Sequence, residues 1–237
     1  MKLAKQIISG LLGAVAAAAL VSSAVQAAPI VTPVGLSSGE SYRLVFVTST
    51  ATNATSSDIN YYNDFVNDLA GLNPILAALG TTWTAIVSTA AVNARDNTAT
   101  HPTTNGAGAP IYLLDGSTKI ADTNADLWDT TIDAPINLHE DGTLPSAGFV
   151  RVWSGTTQTG GSITDRRLGE GTIAFSGRSD LSSSFWIRSG VPDLTQEHHL
   201  YALSGILTVS AIPAPGIPAI FGLGFAGLIF VRRNRYA

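Results

Sequence analysis

The chain has 237 residues, no cysteine, and 13 Lys and Arg against 17 Asp and Glu, for a formal charge of −4. The missing cysteine excludes disulfide staples, thiolate metal sites and thiol nucleophiles. Residues 28–212 hold all 17 acidic residues but eight of the basic ones, a charge of −9, so this stretch repels nucleic-acid phosphates and anionic lipid, and no nucleic-acid partner is expected.

At the start, Lys2 and Lys5 precede an uncharged apolar stretch over residues 7–21, and Val25-Gln26-Ala27 places small residues at the two positions that signal peptidase reads. The pattern predicts a signal peptide over residues 1–27 with cleavage after Ala27. A buried N-terminal helix or an uncleaved anchor would need a longer apolar run.

Residues 28–212, about 185 in number, suffice for one domain with a core of its own. The chain reads there as a single α+β domain. "YRLVFVTS" (42–49) is β-branched and aromatic enough for a strand. "SSDINYYNDFVNDLAGLNP" (56–74) then predicts a helix within 56–72. Ser57 is its expected N-cap, Asp58 lies in the first turn, Ile59, Tyr62, Phe65, Val66 and Leu69 form one apolar face, and Gly71 and Pro74 are stops. "ILAALG" (75–80) offers a short second helix. From "TWTAIVST" onward the pattern is one of short strands: a hairpin in "PIYLLDGSTKIA" around Asp115-Gly116, then "FVRVWSGT", "TIAFSG", "FWIRSG" and "HLYALSGILTVS". Long Gly, Thr and Ser loops separate them, and no fixed-period repeat suggests a solenoid or propeller.

The best local candidate for chemistry is Asp122-Thr-Asn124-Ala-Asp126, whose alternate oxygens have the spacing of a calcium loop, with Thr130 and Asp133 at later ligand positions. Leu127 stands where an EF-hand needs Gly, and the alternative reading makes Asp122, Asn124 and Asp126 turn and capping residues. Calcium is therefore the one cofactor the residues suggest, against no cofactor at all. His198-His199, adjacent on a strand, point to opposite faces and cannot chelate one ion together. That pair, and His139 with Glu140 and Asp141, read as surface features. Arg95-Asp96 is expected as a buried pair and Arg166-Arg167 as a solvated loop tip. Trp83, Trp128, Trp153 and Trp186 read as core, with a sugar-stacking surface as the alternative. There is no G-x-S-x-G elbow, P-loop or H-E-x-x-H helix, so a non-catalytic role is expected, although scattered Ser and His can meet in space as a triad. A hydrolase is the least favoured reading.

At the other end no charge occurs over residues 200–231, but Pro213, Pro215, Gly216 and Pro218 confine any helix to residues 217–231. Fifteen helical residues reach about 22 Å, short of a hydrocarbon core of roughly 30 Å. Arg232, Arg233 and Arg235 follow over the basic tail 232–235 and would stay cytoplasmic, leaving residues 28–212 outside. Segment 213–237, with Pro213-Ala214-Pro215, a short transmembrane helix and an Arg cluster, resembles the PEP-CTERM sorting signal of Gram-negative bacteria. Ala214 stands where that family usually has Glu. The resemblance implies export, an inner-membrane intermediate, cleavage near the motif by an exosortase-type sorting enzyme, and delivery to the cell surface or extracellular matrix, often beside extracellular polysaccharide.

The order of pieces between the two signals resembles a C-type-lectin-like domain of the endostatin-like kind found in some bacterial surface proteins. The matching stretches are "TWTAIVSTAAVNARD", "IYLLDGSTKIADTNADLWDTTIDAPI", "RVWSGT", "SSFWI" and "HLYALSG", together spanning about residues 42–206. The family's usual cysteines and its Glu-Pro-Asn sugar-binding signature are absent here. This resemblance implies one or two N-terminal helices, short and mostly antiparallel strands, and a binding or adhesive module. A structural envelope or matrix protein is thus the first reading, and a carbohydrate-binding lectin or calcium-dependent adhesin the second.

Overall fold

The structure, a computed structural model, describes residues 32–210. The signal-peptide cleavage residues Val25 and Ala27, the Pro213-Ala214-Pro215 motif, the spanning stretch 217–231 and Arg232, Arg233 and Arg235 lie outside the described residues. No helix among the described residues is long and apolar enough to cross a membrane.

The domain is α+β, with few helices and mostly antiparallel strands. Strand β1 (Ser41–Val47) is central and buried on both faces, which explains why its sequence is a nearly unbroken apolar run rather than an alternation. Leu44 and Phe46 enter one core, while Val45 and Val47 enter a second on the opposite face. Strands β2 (Trp83–Ala85), β3 (Ile111–Leu113), β4 (Lys119–Ala121) and β7 (Tyr201–Ser204) complete the order β2-β7-β1-β3-β4, and β8 (Leu207–Thr208) pairs with the start of β1. Only the pairing of β1 with β3 is parallel among the described strands. Between β7 and β8 the ladder along β1 is interrupted, and the Ser204 hydroxyl accepts from the Leu44 amide at 2.9 Å in place of a backbone carbonyl. Strands β5 (Arg151–Trp153) and β6 (Ser176–Arg178) form a separate antiparallel pair.

Helix α1 (Ile59–Leu72) falls within the expected window, but its N-cap is Asp58, not Ser57: the Asp58 carboxylate accepts from the Asn60 amide at 2.9 Å. Tyr62, Val66 and Ala70 are its buried stripe, with Ile59 and Phe65 partly buried beside them. Gly71 lies inside the helix rather than ending it. Asn73 serves both as C-cap of α1 and as N-cap of α2 (Pro74–Ala77), so Pro74 starts a helix where its missing amide costs nothing. The polar side of α1 has a second task. Asn67 and Asn63, one turn apart, accept from the Trp83 and Ala85 amides at 3.1 and 2.9 Å, so the helix satisfies the free edge of β2.

The β3–β4 hairpin forms where expected. Gly116 has φ +67°, and the Asp115 carboxylate accepts from the amides of Ser117 and Thr118, both at 2.8 Å. Two expected strands do not form as read. In "TIAFSG" only Ser176 and Gly177 join β6, because the amides of Ala174 and Phe175 go to Pro192 and Arg166 in loops. "FWIRSG" begins in a 3₁₀ turn, Ser184–Trp186, with the Trp186 amide bonded to Ser183. That turn crosses β6 at Gly177, where a Cβ would stand 1.9 Å from the Trp186 carbonyl oxygen.

Trp83, Trp128, Trp153 and Trp186 are all buried, as the core reading expects. Phe46 and Trp83 pack with ring centroids 4.9 Å apart, and Trp128 packs on Trp186, which in turn packs on Tyr201.

Candidate functional site

The acidic candidate sits on the loops beyond β4. The chain there makes a single helical turn, α3 (Asn124–Leu127), capped by the Thr123 hydroxyl, which accepts from the Asp126 amide at 3.1 Å. This turn decides which oxygens meet. Carboxylates of Asp122, Asp126 and Asp133 each bring an oxygen within 4.8 Å of the others. Two ligands on opposite sides of a calcium ion, each at about 2.4 Å, are separated by a similar span, so the three carboxylates fit a cation of that size.

Asn124 does not join them. It is buried, and its Nδ2 donates to the Gly106 carbonyl at 3.0 Å, against Gly108 on a different loop. The alternating ligand pattern is therefore replaced by two Asp from one turn and a third, Asp133, from farther along. The cluster also has internal partners. Lys119 donates to Asp122 at 2.5 Å, and the Asp122 amide donates to Asp126 at 2.6 Å, so both the ligand and the capping readings describe part of this loop.

The histidines are placed differently from their surface reading. His139 and Glu140 are buried, since residues 138–140 lie along the end of β1. Glu140 accepts from the Ser49 amide at 2.8 Å and from the Ser49 hydroxyl, while its own carbonyl accepts from Asn73 at 2.7 Å. His139 and His199 turn Nδ1 toward the carbonyls of Val47 and Thr48, at 3.1 and 2.6 Å. A carbonyl can only accept, so each Nδ1 carries a proton. The two rings lie 6.1 Å apart.

His198 points the other way, as adjacent strand residues must, and lies over Trp153 with centroids 4.7 Å apart. Burial, reinforced by the Arg151 charge, pushes its pKa down to about 4. Burial also lowers the pKa of His199. Ser49 is bound to a carboxylate rather than to an imidazole, and these groups form a polar clasp at the end of β1.

Arg95 and Asp96 do not form the expected pair. Arg95 reaches the Thr159 carbonyl at 3.4 Å, and Asp96 accepts from Asn93 at 3.1 Å. Arg167 is half-buried and pairs with Glu170 at 3.3 Å, which ties down the loop read as a solvated tip. The burial of Glu140 depends on tertiary contacts, and no short-range signal marks it. Comparison with protein-family models and with curated proteins returns no match.

Proposed function

We propose that the chain is a non-catalytic protein of the cell envelope or extracellular matrix, exported by residues 1–27 and sorted by residues 213–237. The observation that carries this reading is the pair of terminal packages: a basic, apolar, small-residue start ending at Ala27, and Pro213-Ala214-Pro215 followed by a short apolar stretch and Arg232, Arg233 and Arg235. Signal peptidase and an exosortase-type enzyme are the processing partners, the inner membrane is a transient station, and an extracellular polysaccharide is the surrounding partner. The domain between them supports the C-type-lectin-like reading in having its helices mostly at the front, followed by short strands that are mostly antiparallel.

Mass spectrometry of the product from a Gram-negative host with the sorting enzyme tests this reading. The expected chain begins at Ala28 and ends near Pro213 to Pro215. Replacing Pro213 and Pro215 with Ala blocks the second cleavage while leaving insertion intact. A mature product that still carries residues 217–237 in that host means a permanent anchor and overturns the sorting reading.

A calcium-dependent adhesin is the second reading, favoured by the convergence of Asp122, Asp126 and Asp133. Those three residues would hold the ion, which would tie the α3 turn to the segment after it.

A further inference from the structure

In a domain with a charge of −9, basic residues gathered on one face need a local cause. Arg151 and Arg178 stand at paired positions of β5 and β6. Together with Leu181, Phe185 and Ser189 they line one open depression, and Arg188 lines the next, which shares Ser189.

Internal ion pairing accounts for only one of these charges. Arg178 is forked onto Asp180, with Nε at 3.0 Å and Nη2 at 2.6 Å, and its guanidinium lies over Phe149. Arg151 donates to the Ser176 hydroxyl at 3.1 Å, and Arg188 to the Gln158 side-chain oxygen at 3.3 Å. Neither meets a carboxylate among the described residues.

The Arg151 head lies directly against the backbone at Gly190. A Cβ on Gly190 would stand 2.6 Å from Arg151 Nη1. On the same depression, Phe185 is 54% exposed although it belongs to the same turn as the fully buried Trp186. The turn thus buries one aromatic and presents the other to solvent.

We propose that this depression binds a uronate residue of an acidic polysaccharide. The carboxylate would sit on Arg151, the C–H face of the sugar ring on Phe185, and a ring hydroxyl on Ser189, with the Arg178–Asp180 pair as a fixed wall. A carboxylate held rigidly beside an apolar ring face matches a guanidinium held beside an exposed phenyl ring. A glutamate side chain brings the charge without the rigid face, and a sulfate brings charge alone. This proposal rests on the matrix reading for its partner and gives that partner a chemical class and a site.

Titration calorimetry on the full chain in mild detergent, with trigalacturonate as ligand, tests the proposal, with trigalactose, polyglutamate and dextran sulfate as comparisons. Saturable binding to trigalacturonate is expected, unaffected by a calcium chelator and absent with trigalactose. Arg151→Gln should weaken it about ten- to a hundredfold, the loss of one charge-assisted hydrogen bond. Phe185→Ser should weaken it about three- to tenfold, and because that ring is exposed, this variant keeps the test decisive if Arg151→Gln fails to fold. No saturable binding to trigalacturonate, equal binding of the neutral sugar, or binding untouched by Phe185→Ser overturns the site. Tighter retention of polyglutamate or dextran sulfate replaces it with recognition of charge alone. Processing of the ends is scored separately in the same host: lost binding with normal cleavage removes the site only, and binding by an uncleaved product removes the sorting reading only.

Discussion

Acidifying the protein from pH 7 to pH 4.5 should destabilise it before any carboxylate contributes, and His198 is the main cause. Its folded pKa is about 4 against an ordinary value of 6.5, because the ring is partly buried over Trp153 near the Arg151 charge. The folded value lies below the unfolded one, so the unfolded chain takes up the proton first. Stability is therefore complete above pH 6.5 and declines as the pH falls toward 4. A shift of this size would be worth about 3 kcal/mol for a fully desolvated group; solvent screening of a partly exposed ring reduces this to about 1–2 kcal/mol. His199 contributes in the same direction. Asp115, Asp141, Asp180 and Asp193 have lowered pKa values and act in a separate window, because their stabilisation is lost only as the pH falls through and below about 4. Urea unfolding followed by tryptophan fluorescence at pH 7, 5.5 and 4.5 reads the effect through four buried indoles. His198→Phe keeps an aromatic ring over Trp153 and removes the titration, so its loss between pH 7 and 4.5 should be smaller than that of the wild type by about 1–2 kcal/mol. Equal losses in the two proteins, or a flat profile in the wild type, would refute the reasoning.

Gly177→Ala should cost about 3 kcal/mol or more, because the added carbon meets a backbone carbonyl that cannot move without unseating Trp186; Gly161→Ala, where the nearest atom is a hydroxyl at 3.7 Å, should cost far less, and similar urea midpoints for the two would contradict the close crossing. On the second functional reading, calcium at a hundredfold excess over its Kd stabilises the fold by about 2.7 kcal/mol, and Asp126→Ala abolishes that rise in Tm. A wild-type Tm indifferent to calcium removes the ion from the Asp122 loop.

The elements legible in the sequence are those whose causes are local. Helix α1 has a capping residue just before it and an apolar stripe along it, with Pro74 two residues past its end, and the β3–β4 hairpin has Asp115-Gly116 at its tip. The N-cap was misread by one residue because Ser57 and Asp58 both carry a suitable oxygen, and only the backbone shows which one faces the first turn. "FWIRSG" reads as a strand by composition, yet only its last residue, Gly190, bridges to Ser176, and its opening turn passes over Gly177 with no side chain between them. The acidic site was half legible for a similar reason. Alternating Asp122, Asn124 and Asp126 would share a face only on an extended loop, and Thr123 instead nucleates a helical turn that sends Asn124 to Gly106 and leaves room for Asp133. Glu140 was misread because a charged residue beside His and Asp ordinarily belongs to solvent; the Ser49 hydroxyl and amide that hold it lie 91 positions away.

Two arginines show how the same side chain serves the fold in one place and is left available in another. Arg43 on β1 is 5% exposed and has no carboxylate partner among the described residues, yet it is well occupied: Nη1 donates to the carbonyls of Thr98 and Ser204 at 2.7 and 3.3 Å, and Nη2 to Ala99 at 3.4 Å. Its burial lowers its pKa, and the carbonyl dipoles around it replace lost hydration. The loop over residues 98–100 is held in place by this contact, with Ala99 at φ +52°, a left-handed conformation that a free Ala rarely adopts. Removing that guanidinium would therefore act on folding. Arg151 has a single neutral side-chain partner, a glycine that lets its head lie against the backbone, and an exposed phenyl ring lining the same depression. Its charge lies where solvent or a ligand can satisfy it, in a domain whose net charge would otherwise keep anions away. Selection for stability alone favours the first arrangement, in which both terminal nitrogens are directed at carbonyls. The second leaves binding capacity unused by the fold, which is why recognition is argued at the β5–β6 face.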